Sequence, residues 1–269
     1  MKIARTESVV THALLVLASV VAVFPLVSIL VSSLHGVGGS TGGVSFASYS
    51  TAWNQGRFGP ALLSSALVSV TVVAATVVLA SLAGYALATM RVPGGRIILG
   101  LLLVGLVLPY EVTVLPLYEL LTGWHLVDTY WALILPQVAL SVPLGVLWMR
   151  SFFASVPAEL LEAARIDGTS RLQTLRLVVL PVAGPAITTL STVLFLFTWN
   201  EFLLALILVP DNASVQTVPL ALSFFSGAAR SSDPAVTAAA AVLVALPVLL
   251  AYIFLQRRLI SGLTEGAVK

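Results

Sequence analysis

Residues 159–181 read ELLEAARIDGTSRLQTLRLVVLP and carry six charged side chains, Glu159, Glu162, Arg165, Asp167, Arg171 and Arg176, with Arg150 shortly upstream. The whole chain of 269 residues has only 13 basic and 11 acidic residues. Charge gathered so tightly in an apolar chain marks a segment outside lipid between two segments inside it. Pro157 suits the first turn of a helix, Glu159 and Glu162 favour its positive N-terminal end, and Gly168 suits its stop, which predicts a short helix over about 158–167. Ser170, with Gln173 three positions on, has capping-box spacing and predicts a second helix that starts at once. On these residues alone the segment is either an amphipathic helix resting at the membrane interface or an elbow projecting from it.

The composition agrees with a membrane setting. Hydrophobic residues make up 59% of the chain and charged residues 9%, against the roughly 25% charged of a soluble domain. Six apolar runs fall at about 8–34, 60–90, 97–119, 129–149, 177–209 and 235–256. Runs of this length cross the hydrocarbon core as helices, because an unpaired backbone is costly in lipid. The predicted fold is all-α: one integral membrane domain over 1–269, six transmembrane helices, and the charged loop, about 157–181, between spans four and five.

Six spans put both termini on one side. Lys2, Arg5, Arg91, Arg96, Arg150, Arg165, Arg171, Arg176, Arg257, Arg258 and Lys269 then share that side, leaving Arg57 and Arg230 opposite. Eleven basic residues against two predict cytoplasmic termini and a cytoplasmic charged loop. This distribution also accounts for the net charge of +2 without a nucleic-acid partner. The first apolar run is longer than a secretory signal core and lacks a clear cleavage pattern, so it is read as a retained span. The glycine-rich stretch 32–53, SSLHGVGGSTGGVSFASYSTAW, reads as a flexible crossing outside the membrane. Cysteine is absent, and His12, His35 and His125 are too scattered for a metal site.

The charged stretch also resembles a known pattern. EAARIDG at 162–168, followed by LP at 180–181, is similar to the EAA loop of permease subunits from ATP-binding-cassette importers. GYALATMRVPGGR at 84–96, LPYEVTVLPLY at 108–118, DTYWALILP at 128–136, WNEFLLAL at 199–206 and GLTEGAVK at 262–269 resemble the carbohydrate branch of that family, in particular its second, maltose-type permease partner. The resemblance implies that the short helix is a coupling helix docking into a groove on a cytoplasmic ATPase. Glu162, Ala163, Ala164, Asp167 and Gly168 match the docking motif, as do Leu180, Pro181 and Pro185 around the following helix. Thr169 and Leu175 stand where the family more often has alanine and phenylalanine.

The same resemblance implies the partners: a second permease subunit, two ATPase subunits carrying ATP and Mg, and an extracytoplasmic solute-binding protein. The setting would be a bacterial or archaeal cytoplasmic membrane, with lipid around the spans. No cofactor is expected in this chain. A phosphate-binding loop of the Walker type needs Gly-Lys followed by Ser or Thr. The only lysines are Lys2 and Lys269, so hydrolysis is assigned to another polypeptide and the chain is read as non-catalytic.

Polar groups inside apolar runs mark a solute path or helix contacts. Glu201 is the sole charged residue between Arg176 and Asp211, with Trp199 and Asn200 beside it. An acid within a span is expected to face a bundle interior or water. An aromatic face with amide and carboxylate groups suits a sugar; an interfacial Trp and a helix-contact Glu suit the residues equally. Tyr110, Glu111 and Thr113, between Pro109 and Pro116, pose the same choice between path and packing, the prolines predicting a kink. Pro181, Gly184 and Pro185 predict a bend early in span five.

Sugar import by this machinery competes with import of glycerol 3-phosphate or an amino sugar. An ion-coupled secondary transporter using Glu111 and Glu201 would require inverted repeats, which the sequence does not display. A membrane enzyme would require a cluster of acid, base and nucleophile, and none is visible.

Overall fold

The computed structural model describes residues 5–35, 44–226 and 233–267, and every element among them is helical. In order these are α1 (Arg5–Ser33), α2 (Ala47–Gln55), α3 (Phe58–Thr89), α4 (Gly95–Val107), a 3-10 turn (Tyr110–Thr113), α5 (Val114–Gly123), α6 (Tyr130–Ser155), α7 (Ala158–Ile166), α8 (Arg171–Gln173), a π-helical stretch (Thr174–Val179), α9 (Leu180–Val182), α10 (Gly184–Trp199), α11 (Leu203–Leu208), α12 (Val218–Ser226) and α13 (Pro234–Ala267). Residues 36–43 of the glycine-rich stretch, Lys2, Arg230 and Lys269 lie outside the described residues. The end of that stretch is helical, in α2.

Three helices are long and apolar enough to cross a membrane alone: Val10–Ser33, Phe58–Thr89 and Tyr130–Ser155. Two more candidates are broken. Gly95–Val107 and Tyr110–Gly123 meet at 92°, and Arg171–Val182 and Gly184–Trp199 meet at 79°. Among the described residues this makes three crossings, or five if each bent pair crosses once; Pro234–Leu250 is a shorter apolar helix. Spans three and five are thus interrupted where the prolines predict a kink and a bend.

Local chemistry explains the interruptions. Leu108, before Pro109, is extended (φ −66°, ψ 126°), as a residue ahead of proline prefers, and α4 stops there. Pro116 falls in the first turn of α5, where a missing N–H costs least. Around the second bend, Pro181 and Pro185 remove the donors that would bond the carbonyls of Leu177 and Pro181. The helix there loosens into the π-helical stretch and turns at Ala183 (ψ 0°). A third break, after Trp199, separates α10 from α11.

The chain divides into two compact units. The first comprises 1–59 and 221–247. In it Ser33 Oγ and Tyr49 Oη lie 2.7 Å apart, Ser48 Oγ donates to the His35 carbonyl at 2.8 Å, and Phe58 stacks on Phe225 with centroids 6.3 Å apart. The second unit comprises 60–220 and 248–269. It holds two apolar clusters along α3 and α6. One gathers Val68, Val72, Val114, Leu121, Leu133, Leu204 and Leu208. The other gathers Ala80, Tyr85, Val146, Met149, Phe153, Leu175, Val179, Leu190 and Leu194.

Glycine sets the spacing of α3 and α6. A Cβ at Gly84 of α3 would lie 2.8 Å from the Arg150 backbone nitrogen, and one at Gly145 of α6 would lie 2.9 Å from Ala80 Cβ. Each helix therefore gives up a side chain to let the other approach. Trp148 of α6 donates from Nε1 to the Ala186 carbonyl of α10 at 3.1 Å, so α10 is tied to the same pair.

Candidate functional site

The charged stretch folds into a helix, a glycine corner and a second helix. Ala164 is buried and Leu160 and Leu161 half-buried, while Glu162, Ala163 and Asp167 are exposed and Ile166 is 86% exposed. The helix α7 therefore turns one apolar edge inward against the π-helical stretch and leaves a mixed outer edge bare. Its end is closed by backbone bonds: Gly168 N–H donates to the Arg165 carbonyl at 3.0 Å and Thr169 N–H to the Ala164 carbonyl at 3.1 Å. This is a Schellman closure, with Gly168 at φ +75°, the left-handed conformation that glycine adopts without a side-chain penalty.

The next helix begins two residues later. Ser170 Oγ accepts from Gln173 N–H at 3.4 Å, and Gln173 Oε1 accepts from Ser170 N–H at 2.8 Å, the reciprocal capping box expected from the spacing. Thr169 joins the two helices, donating from Oγ1 to the Ala164 carbonyl at 2.7 Å and lying 2.8 Å from Thr174 Oγ1. Leu175 is buried in the second apolar cluster. The corner is thus held at both ends by satisfied polar groups and anchored by one apolar side chain.

The second arrangement is a cleft of about 500 Å³ between the 3-10 turn, α6 and α10. Its polar lining is Tyr110, Gln137, Ser141, Thr198, Asn200 and Glu201, set among leucines and Phe197. Glu201 is oriented by the break after α10: its Oε1 accepts the Leu204 N–H at 2.9 Å, capping α11, and its Oε2 accepts from Tyr110 Oη at 3.4 Å. Asn200 Nδ2 is turned back onto the Leu196 carbonyl at 2.7 Å. The cleft combines one carboxylate with uncharged donors and acceptors on an apolar wall, and no basic residue lines it.

Residues 77–264 match the family described as "Binding-protein-dependent transport system inner membrane component". This chain belongs to that family. It is 35% identical over 164 residues, 61% of this chain and 60% of the relative, to the trehalose transport system permease protein SugB of Mycobacterium tuberculosis. It is also 38% identical over 161 residues to the diacetylchitobiose uptake system permease protein DasC of Streptomyces coelicolor, covering 60% of this chain and 58% of that one. The chain thus spans about 60% of the length of these curated relatives. In fold it is similar to a chain in the crystal structure of a bacterial ABC transporter involved in the import of the acidic polysaccharide alginate. That similarity has a TM-score of 0.77 at 21% identity and covers 96% of this chain and 99% of the other.

In this inner membrane transport component, the residues singled out in the sequence separate into three places. Glu162, Ala163, Ala164, Asp167 and Gly168 come together at the corner, Ala164 inward and the rest outward. Tyr110, Asn200 and Glu201 meet in the cleft. Glu111 and Thr113 are exposed beyond its lining, Thr113 Oγ1 donating to the Tyr110 carbonyl at 2.6 Å. Trp199 also stays out of the lining: it is buried, with its ring 5.4 Å from that of Phe195.

Sequence reasoning missed Gln137, Ser141 and Thr198. The signal for the first two was present in the inner membrane component's own α6: two polar residues four apart, hence on one helix face, in an otherwise apolar run between Pro136 and Pro143. Thr198 immediately precedes the Trp199–Glu201 triplet and carried no separate signal.

Proposed function

We propose that this chain is a transmembrane permease subunit of an ATP-driven importer for a sugar or related polar solute. The observation that carries the reading is the corner at α7, whose EAARIDG sequence leaves Glu162, Ala163 and Asp167 outward on a helix closed by Gly168. An exposed helix with a fixed end and a pair of acceptor carboxylates suits a groove on a partner protein. In this reading α7 is a cytoplasmic coupling helix between spans four and five of a six-span, single permease domain with both termini cytoplasmic. ATP and Mg bind on two partner ATPase subunits. A second permease subunit completes the pathway, and a solute-binding protein outside delivers the cargo. ATPase closure moves α7, and the bends near Tyr110 and Ala183 convert that movement into alternating access.

Cargo is read from the cleft. Tyr110, Asn200 and Glu201, joined by Gln137 and Ser141, offer hydrogen bonds to hydroxyl groups beside an apolar wall, and the size falls within the roughly 300–1,000 Å³ of small-ligand sites. Glu201 without a lining Lys or Arg favours a neutral polyol or an amino sugar over glycerol 3-phosphate. The names of the curated relatives, which include trehalose and diacetylchitobiose transport, support a sugar cargo. Proton coupling through paired carboxylates is disfavoured, since Glu111 lies outside the cleft and Glu201 is occupied as a cap.

The chain has no cysteine, so Ile166→Cys supplies a unique handle on α7. In membranes of the native host it should cross-link to an ATPase chain, whereas Leu177→Cys should not. Purified with its companions in proteoliposomes, the complex should take up sugars only with the binding protein and ATP. Uptake by this chain alone, without ATP, would refute the proposal.

A further inference from the structure

Beside the corner, on the side opposite the bare edge of α7, lies a pocket of about 270 Å³ that the transport reading does not use. Arg91, which follows α3, Arg165 of α7 and Arg171 of α8 all line it, together with Tyr85, Thr169 and Thr174. No carboxylate lines it, and among the described residues none of the three arginines makes an ion pair. Arg171 Nη1 reaches only the Met90 sulfur, at 3.5 Å. Tyr85, 6% exposed, forms the buried floor of the lining. Three arginines from three separate stretches of chain thus line, with hydroxyl-bearing residues, a space that no carboxylate lines.

We infer that this pocket binds a phosphate-bearing anion, supplied either by the head group of an anionic phospholipid or by free phosphate. Guanidinium forks match phosphate oxygens in pairs, and hydroxyl donors complete the remaining bonds. The volume admits a phosphate ester and is too small for a helix. The pocket sits just past the end of the apolar α3, at Arg91, and beside Arg171 the side chain of Leu172 is 64% exposed, a juxtaposition suited to the boundary between acyl chains and head groups. The inference stands on the pocket and not on ATPase docking, so each can fail without the other.

The test uses the full chain with the subunits that accompany it, extracted in mild detergent. Bound phospholipid is identified by native mass spectrometry, and the preparation is titrated separately with phosphatidylglycerol, phosphatidylcholine and inorganic phosphate. Phosphatidylglycerol should be retained over phosphatidylcholine, and each of Arg91→Gln, Arg165→Gln and Arg171→Gln should weaken binding by roughly tenfold, the worth of a charge-assisted hydrogen bond. The corresponding Arg→Lys variants, which keep the charge, should retain part of the binding and control for misfolding. Arginine-dependent binding of inorganic phosphate without lipid retention would uphold the site and make free phosphate its ligand. Wild-type binding in the Arg→Gln variants, or no preference for either anion, would overturn the inference. So would an arginine dependence confined to ATPase association, which would assign these side chains to a protein partner.

Discussion

Asp128 and Asn212 hold each other reciprocally: Asp128 Oδ1 accepts the Asn212 N–H at 3.0 Å, while Asn212 Nδ2 donates to the Asp128 carbonyl at 2.9 Å. The same Oδ1 accepts the Asp211 N–H at 3.1 Å, and Asp128 N–H donates to the Leu208 carbonyl at 2.9 Å. Asp128 is itself left-handed, at φ 62°, where short polar side chains are tolerated better than others. One residue thereby ties the start of α6 to the end of α11. Asp128→Ala should lower stability by about 1–3 kcal/mol, through lost acceptors and backbone strain, and Asp128→Asn by less. Thermal unfolding in detergent checks the order; equal melting temperatures for Ala, Asn and wild type would contradict it.

The glycine contacts between α3 and α6 give a second expectation. Gly84→Ala and Gly145→Ala place a methyl group within 3 Å of a backbone nitrogen and of Ala80 Cβ, respectively, and should each cost about 1–3 kcal/mol as overpacking. Gly100→Ala in α4 meets nothing within 4 Å and should be neutral or stabilising by up to about 1 kcal/mol. Monodisperse yield and melting temperature of the three variants provide the comparison.

At the corner, Gly168 needs its left-handed backbone rather than empty space, because a Cβ there would touch nothing. Gly168→Val should therefore cost about 1–2 kcal/mol locally, and Gly168→Asn less. If α7 couples to an ATPase, the valine variant should also lose transport-coupled hydrolysis more than the asparagine variant does. Unaltered uptake and hydrolysis in Gly168→Val would remove the coupling role from this residue.

In the cleft, the carboxylate of Glu201 serves both the cap of α11 and the Tyr110 hydroxyl. Glu201→Gln keeps an acceptor for the Leu204 N–H and should preserve folding while raising KM for solute by roughly tenfold, the loss of a charge-assisted bond. Glu201→Ala should add a stability loss. Uptake measured across solute concentrations separates the two effects, and an unchanged KM in both variants would place solute binding elsewhere.

Gln137 and Ser141 offer a further check on the cleft. Gln137→Leu and Ser141→Ala should raise KM with little change in melting temperature, since both polar groups line the cleft. A change in maximal rate alone would count against contact with solute.

Short-range chemistry was the part most readable from sequence. The end of α7 at Gly168 and the restart at Ser170 follow from residues within a few positions of each other. The helical class followed from the apolar runs. Directions inside those runs were less legible, because a helix apolar on most sides has no polar face to orient it. Hence Tyr110, Asn200 and Glu201 meet in one cleft while neighbouring Glu111, Thr113 and Trp199 do not. The degree of each bend was also hidden: Pro109 and Pro185 announce an interruption, but 92° and 79° depend on the packing of the flanking helices.

The paired glycines of α3 and α6 also bear on how the second unit is built. Each helix contributes one of the two glycines, Gly84 facing the Arg150 backbone of α6 and Gly145 facing the Ala80 and Thr76 side chains of α3, so the close approach is fixed from both sides. The two helices are thereby packed as one tight pair. The interruptions of the helical path lie outside this pair, at Leu108–Tyr110, at Ala183 and after Trp199, which leaves α3 and α6 as the unbroken backbone of the unit.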